Sequence, residues 1–501
     1  MDKVRVRFAP SPTGPLHLGG VRTALYDYLF AKNQGGEFIL RIEDTDTARY
    51  VEGAEEYIEE ALEWCGIIAD ESPKKGGKFA PYRQSERRDI YDRYTEQILK
   101  TDYAYIAFDT AEELDAIRGE YEARGDVFSY DNKTRNQLRN SLTLSEEEVQ
   151  QLLDEKTPYV VRFRMPVDRT LNLEDIIRGK FSVNTNTLDD KVLVKNDGMP
   201  TYHFANIIDD HEMEISHVIR GEEWLPSLGL HTLLYEAMNW QAPQFAHLSL
   251  ILKPEGKGKL SKRDGDKFGF PVFPLNFTDP ATGNVSKGYR ESGYLPEAFI
   301  NMVALLGWSP ADDKEILSLD EMAKEFDLNK VHKAGARFSK EKAEWFNHQY
   351  MQQKSDEELL QILKDSDLNL TLPDDKLLKV IHLMKERATF PKDIYENGKF
   401  FFEAPGSYDE KAAKKAWNDE TSGLLQELAK QLETVEFSAE NLKQAVHDFA
   451  ENKGLGMGKV MMPLRLSLVG ELKGPDVPDI MELLGKEETT ARINNAVNNF
   501  K

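Results

Sequence analysis

The chain has 501 residues and a mass of 57.2 kDa, too much for one compact core, so about three or four domains are expected. Hydrophobic residues at 40% and charged residues at 30% exclude a disordered chain, and no apolar run approaches the roughly 18–20 residues that cross a bilayer. Lys and Arg number 64 against 87 Asp and Glu, a net charge of −23, so a polyanion is repelled on average and any nucleic-acid site must be a local basic surface. Composition by itself favours an enzyme of small molecules. One cysteine, Cys65, leaves no pair for a disulfide or a cysteine-based zinc site. The charged start with early Pro10 and Pro12 has no room for a signal-peptide apolar core, and the chain reads as cytoplasmic and not membrane-bound.

Residues 3–8 alternate charged and apolar side chains with the period of a strand. Residues 9–20 carry Pro10, Pro12, Gly14, Pro15, Gly19 and Gly20 and read as a loop. A helix over 21–32, closed by Gly35-Gly36, and a strand over 37–42 follow. Ala54, Tyr57, Ile58, Ala61, Leu62 and Cys65 share one face of a second helix. Strand, helix, strand, helix indicates a parallel βαβ unit.

The stretch from about 100 to 200 is mixed, with a charged helix over 112–124 and strands over 159–165 and 191–195, before α/β pattern returns over 201–240. A chain that leaves an α/β sheet and later re-enters it carries an inserted domain. Residues 253–293 are rich in Gly and Pro and read as loop. Beyond about 335 the pattern is helical, as in 377–387, 424–432 and 442–449.

Two strings carry chemistry. Arg7-Phe8-Ala9-Pro10-Ser11-Pro12-Thr13-Gly14-Pro15-Leu16-His17-Leu18-Gly19-Gly20 lies between a strand and a helix, where an open α/β sheet binds nucleotides and a helix N-terminus offers N–H groups to phosphate. There Gly19 and Gly20 admit adenine or ribose close to the backbone, and His17 can donate to phosphate oxygens. The second string is Lys259-Leu260-Ser261-Lys262-Arg263. Around it Lys257, Lys259, Lys262, Arg263 and Lys267 outnumber Asp264 and Asp266, a local reversal of the chain's sign suited to neutralising a triphosphate. Either string alone is commonplace, the first as a Pro-rich helix entry and the second as a solvated basic loop.

Their order and α/β context resemble the class I aminoacyl-tRNA synthetases, with His17-Leu18-Gly19-Gly20 and Lys259 to Arg263 matching the two signatures. Arg41-Ile42-Glu43-Asp44-Thr45-Asp46, Tyr82-Arg83-Gln84-Ser85 and Pro200-Thr201-Tyr202-His203 extend the likeness to the bacterial glutamyl-tRNA synthetases over essentially the whole chain. The resemblance implies an α/β catalytic domain with a Rossmann-type parallel sheet, an inserted α/β acceptor-binding domain and an all-α C-terminal anticodon-binding domain. It divides the chain into a first catalytic half (1–99), the inserted domain (100–200), a second catalytic half (201–250), a connecting domain (251–335) and the anticodon region (336–501).

It further implies that L-glutamate is activated with ATP and Mg²⁺ and transferred to tRNA(Glu) by a monomer, with activation waiting for tRNA. His17, Gly19, Lys259 and Lys262 are the implied catalytic residues. Arg7, Ala9, Ser11, Glu43, Tyr202, Asn206 and Arg220 would line the amino-acid pocket, since guanidinium forks suit carboxylates and a glutamate suits an ammonium. His17, Gly19, Gly20, Glu223, Leu252 and Lys259 to Arg263 (with Leu260, Ser261 and Lys262) would face ATP. The glutamine-specific sister usually lacks the second arginine, so Arg220 favours glutamate. Arg387 falls where the family reads the third anticodon letter, and an arginine, offering only donors, suits cytosine and opposes the guanine of glutamine tRNA.

Two features depart from some relatives. The 103–135 region holds no cysteine cluster, so no zinc is expected. Residues 266–288 look like an extra insertion whose Phe268, Phe270, Phe273 and Phe277 are core packing or, alternatively, a lid over ATP. A nucleotidyltransferase and the truncated glutamyl-queuosine relative both lack the helical C-terminal third, and a catalytically dead paralogue has no reason to keep His17, Gly19, Lys259 and Lys262.

Overall fold

The computed structural model describes residues 3–500, the Thr47 side chain excepted. It forms two compact units, residues 1–292 with 296–342, and residues 293–295 with 343–501.

In the first unit β1 (Arg5–Phe8) is buried along its whole length, its two arginines included, although the sequence alternates in polarity. The reason is position. β1 pairs in parallel with β2 (Glu37–Leu40) and, through Ser216 N–H to the Arg5 carbonyl at 2.9 Å, adjoins a strand from the far side of the insertion. Arg5 is compensated by Glu37 and Glu71, and Arg7 by Asp210. Between the strands runs α1 (Leu18–Asn33), whose Leu18, Val21, Leu25 and Leu29 enter the core. It begins three residues earlier than the sequence suggests, because the His17 side chain caps it by accepting the Gly19 N–H. α2 (Ala54–Trp64) buries Ala54, Tyr57, Ile58, Ala61 and Leu62, the face expected, and α3 (Arg88–Ile98) follows.

The inserted stretch then builds β3 (Ala104–Ala107), α4 (Ala111–Ala123), α5 (Glu146–Asp154) and β4 (Val160–Phe163), both helices opened by capping boxes. A hairpin of β5 (Thr170–Asp175) and β6 (Gly179–Asn184) precedes β7 (Val192–Val194), which completes the antiparallel sheet β3-β4-β7. β5 alternates exposed and buried residues and ends on the buried Asp175.

The α/β layer resumes with α6 (Tyr202–Glu212), β8 (His217–Gly221), α7 (Leu228–Ala237) and β9 (Gln244–Leu248). β8 and β9 are parallel, with Arg220 opposite His247. The strands therefore run in the order β2-β1-β8-β9, and strand order reverses between β1 and β8, the switch point where such sheets bind ligands at their carboxyl ends.

β10 (Ile251–Leu252) leads to the basic string. The sequence reads 253–293 as loop, yet Ser261 caps a short helix, α8 (Lys262–Phe268), by exchanging hydrogen bonds with Asp264. The hairpin β11 (Phe277–Thr278) and β12 (Val285–Ser286), α9 (Pro296–Ala304), α10 (Leu319–Glu325) and β13 (Ala336–Arg337) finish the unit. β13 pairs in parallel with β10, and Arg337 donates to the carbonyls of Lys253, Pro254 and Gly256 at 2.7, 2.9 and 3.1 Å, clamping the turn before the basic string.

The second unit is helical, as its sequence period indicates: α11 (Lys340–Gln353), α12 (Asp356–Lys364), α13 (Asp374–Met384), α14 (Pro391–Asn397), α15 (Glu410–Ala416), α16 (Thr421–Leu432), α17 (Ala439–Asn452), α18 (Met457–Val469), α19 (Val477–Leu484) and α20 (Lys486–Asn499). Leu425, Leu428, Leu432, Leu442, Val446, Leu464, Ile480 and Ile493 are among its core residues.

Candidate active site

A cavity of about 1020 Å³ opens at the switch point, above the ends of β1 and β8 and the start of α1. It is lined by Arg7, Ala9, Ser11, His17, Gly19, Gly20, Glu43, Tyr202, Asn206, Arg220, Glu223, Lys259, Leu260 and Ser261. The structure thus brings together residues predicted from five separate stretches of the chain. Leu252, Lys262 and Arg263, expected at the nucleotide, are not in the lining. The Leu252 carbonyl accepts the Phe338 N–H at 3.0 Å, and Lys262 and Arg263 are exposed in the first turn of α8 because the Ser261–Asp264 cap turns the chain helical there.

At the β1 end, Asp210 grips Arg7 with both oxygens, Nε to Oδ1 at 2.9 Å and Nη2 to Oδ2 at 3.2 Å, and accepts from Arg41 Nη1 at 2.8 Å. Arg41 Nη2 reaches Glu43 Oε1 at 3.0 Å, which also accepts from Asn206 Nδ2 at 3.0 Å. All of these side chains are buried. Burial works to raise the carboxyl of Asp210, but the two arginines outweigh it and hold the acid below its usual range. Glu43 goes the other way. Burial pushes its carboxyl up despite Arg41, so a cation placed beside it would be stabilised.

At the β8 end, Arg220 donates from Nε to His247 Nε2 at 3.1 Å and from Nη1 to the Tyr202 hydroxyl at 3.2 Å. Its Nη2 is buried without a hydrogen-bond partner. No carboxylate forms an ion pair with this guanidinium among the described residues. Tyr202 stacks on Trp224 with ring centroids 4.0 Å apart, which fixes the wall next to it.

His17 lines the same cavity, near the basic string. Its Nδ1 accepts from Gly19 N–H at 3.3 Å, so in the neutral ring the hydrogen is on Nε2, a buried atom with no partner. Burial, with Lys259 adding, pulls its pKa down to about 4. The ring is therefore a neutral donor at pH 7. Phe273 meets it edge-on at 6.0 Å, and Leu18 N–H donates to the Val272 carbonyl at 2.9 Å. Phe270, Phe273 and Leu275 are buried, and Tyr57 OH donates to the Leu275 carbonyl at 2.7 Å. Of the two readings of the insertion, core packing holds for this part: it buttresses the first string from behind.

The two glycines differ. A Cβ on Gly19 would find only the His17 ring at 4.0 Å, which leaves the cavity side open, whereas one on Gly20 would meet Leu16 at 2.6 Å. Packing against Leu16 thus by itself favours glycine at position 20, which also lines the cavity. Lys259 lies 3.7 Å from Glu223, both side chains about half exposed, and Leu260 is buried beneath them.

Several lining or bracing residues escape a reading of the strings: Asp210, Lys195, Trp224 and the histidines behind Arg220. Trp224 follows Glu223 directly in sequence, while Asp210 has no local signal, because its partner Arg7 is 203 positions away. In the second unit Arg387 is exposed in a 3₁₀ turn, Lys385–Arg387, directly after α13. The expected helix ends three residues sooner, at Met384. Nearby Arg465 has its pKa lowered, by burial first and by the charge of Arg387 in addition, despite Asp476.

A neutral histidine at a helix start, Lys259 at the cavity wall and two buried arginines in a switch-point crevice suit an enzyme that handles a carboxylate and a nucleotide. Residues 3–345 match the family described as tRNA synthetases class I (E and Q), catalytic domain, and residues 341–497 match the anticodon binding domain. The chain belongs to this family of class I synthetases. It is 56% identical to the glutamate–tRNA ligase of Christiangramia forsetii, with 100% of each chain covered, and 56% identical to that of Porphyromonas gingivalis over 99% of this chain and 98% of the relative. Among solved structures it resembles the glutamate tRNA ligase of Elizabethkingia meningosepticum in complex with its amino acid, at 76% identity and a TM-score of 0.98 over 100% of both chains.

Proposed function

We propose that the chain is a glutamate–tRNA ligase, which activates L-glutamate with ATP and transfers it to the terminal adenosine of tRNA(Glu). The observation that carries the amino-acid choice is Arg220, a buried guanidinium that lines the cavity, with no carboxylate in contact and Nη2 unpartnered. Such a group is costly unless an anion completes it, and a second substrate carboxylate does so where a neutral amide does not. Arg7, across the crevice, offers the other guanidinium, and Glu43 with Asn206 suits the ammonium.

In the first step a substrate carboxylate oxygen attacks the α-phosphorus of ATP. The bond to the β-phosphate oxygen breaks, leaving glutamyl-adenylate and pyrophosphate. His17 Nε2–H, buried and without a partner, is suited to donate to phosphate oxygens. Lys259, exposed and loosely paired with Glu223, can follow the charge as pyrophosphate departs, and Lys262 and Arg263, outside the lining, would act only after moving with their segment. Mg²⁺ arrives with ATP as part of that substrate. In the second step the adenosine hydroxyl of tRNA attacks the carbonyl carbon and AMP leaves. Positioning and charge neutralisation carry most of the acceleration.

We assign the 100–200 stretch to the acceptor end and the helical unit to the anticodon. Arg387, exposed beside Arg465, supports reading of the third anticodon letter and rejection of tRNA(Gln). We take the protein to act as a monomer. No described helix is long and apolar enough to cross a membrane, and a cytoplasmic site of action without zinc completes the reading. The test is charging of labelled glutamate onto purified tRNA(Glu) and tRNA(Gln) by the protein and by Arg387→Gln. Charging of tRNA(Glu) alone by the first, and of both by the second, is expected; no charging of either by the unaltered protein overturns the proposal.

A further inference from the structure

Behind Arg220 lies a chain of buried groups that the chemistry above does not use. His247 Nε2 accepts from Arg220 Nε, and on the far side of the ring His247 Nδ1 lies 2.7 Å from Asp175 Oδ2, with both side chains fully buried. The parallel register of β8 and β9 sets Arg220 beside His247, and Asp175 is the last residue of β5, on the hairpin of the inserted stretch. Asp175 is itself held. Its Oδ1 accepts the N–H groups of Ile177 at 3.0 Å and Arg178 at 2.7 Å, and Oδ2 takes the His247 N–H at 3.1 Å.

Donor and acceptor chemistry fixes what this chain can do. An arginine Nε–H only donates, so His247 must present the lone pair of Nε2, and its single proton must then be on Nδ1, facing Asp175. The opposite tautomer would set two N–H groups against each other. Arg220 Nη1 is meanwhile occupied by Tyr202 and approached by His231 Nδ1 at 3.4 Å, so the only unpartnered nitrogen is Nη2.

We propose that Asp175 and His247 are positioning residues for substrate recognition: Asp175 selects the His247 tautomer that accepts from Arg220, and this holds the guanidinium with Nη2 toward a carboxylate of glutamate. The proposal rests on the reading of Arg220 as a carboxylate site. It places a determinant of amino-acid affinity on the hairpin of the inserted stretch, outside the cavity lining.

Asp175→Asn is a nearly isosteric test. Oδ1 is engaged by two backbone N–H groups, so the amide oxygen stays there and the amide nitrogen replaces Oδ2, donating to Nδ1 and driving the ring proton onto Nε2 against Arg220. The glutamate KM in tRNA charging at saturating ATP should rise about 10–100-fold, with kcat within about threefold and the ATP KM unchanged. His247→Gln, whose amide oxygen accepts from Arg220 with no tautomer to set, should cost only about threefold, and adding Asp175→Asn to it should cost less than about twofold more. An unchanged glutamate KM in Asp175→Asn, or an equal cost in both backgrounds, overturns the proposal. If Asp175→Asn does not fold, His247→Phe against His247→Gln decides: the phenylalanine lacks an acceptor and must raise KM well above the glutamine, and equal values overturn the idea. Failure of the unaltered protein to charge glutamate would instead sink the functional reading.

Discussion

Arg7, Arg41 and Arg220 are at most 5% exposed and fixed by neighbours on other elements, whereas Lys259, Lys262 and Arg263 stand in solvent, with Lys259 only loosely paired to Glu223. Both groups are basic, and in the proposed function members of both face anionic parts of substrates, yet they are built in opposite ways. A guanidinium held in low dielectric cannot follow a misplaced ligand, so it discriminates. An exposed ammonium binds weakly but moves with charge that exists only briefly. Selection of the amino acid and neutralisation of the phosphates are thus assigned to a rigid and a yielding region of one cavity.

The comparison can be broken at its rigid side by Asp210→Asn, the largest effect expected. Asp210 serves two buried guanidiniums, and its neutral replacement leaves Arg7 without its acid and Arg41 with Glu43 and Asp209 alone, at a cost of about 3–5 kcal/mol with loss of charging. Denaturant unfolding beside a charging assay checks this, and a loss under about 1 kcal/mol would mean that the pocket is not built around that acid.

At the yielding side Lys259→Ala is expected to lower kcat about 100-fold and leave both the unfolding midpoint and the glutamate KM unchanged. Lys262→Ala, outside the lining, should do the same if the segment closes on ATP. A lysine variant that instead raised the glutamate KM would erase the division between the two regions.

The smallest effect sharpens the picture of burial. His17 and His203 are pulled down to about 4 by burial, with neighbouring cations adding, and His231 and His247 are lowered in the same direction. Below pH 6.5 the unfolded chain takes up these protons first, so stability falls as pH drops from about 6.5 toward 4. Asp210 and Asp175, held below the ordinary carboxylate range, add their loss only at lower pH. Urea unfolding at stepped pH should show the earlier slope, and His203→Asn should make it shallower.

Much of this site is legible in the strings because its parts are local. A strand end, a Pro- and Gly-rich turn and a helix start follow one another from Arg7 to Gly20, and each element is decided by nearby residues. The exceptions have local causes too: the His17 cap draws Gly19 and Gly20 into α1, and the Ser261 cap converts the end of the basic string to helix. Phe273 is different. Nothing in 266–288 says that this ring will lie against His17, since that depends on how the segment returns across α1.

By itself the sequence determined the alternation of strands and helices, the helical last third and the residue types gathered for a carboxylate and a triphosphate, because periodicity, capping and turn chemistry act over a few positions. Only the tertiary structure decided that Asp210 grips Arg7 across 203 positions, that Asp175 reaches His247 across 72, and that Arg220 is left with one free nitrogen. Those outcomes depend on which strands become neighbours and on burial, which turns an ordinary ion pair or histidine tautomer into a fixed constraint.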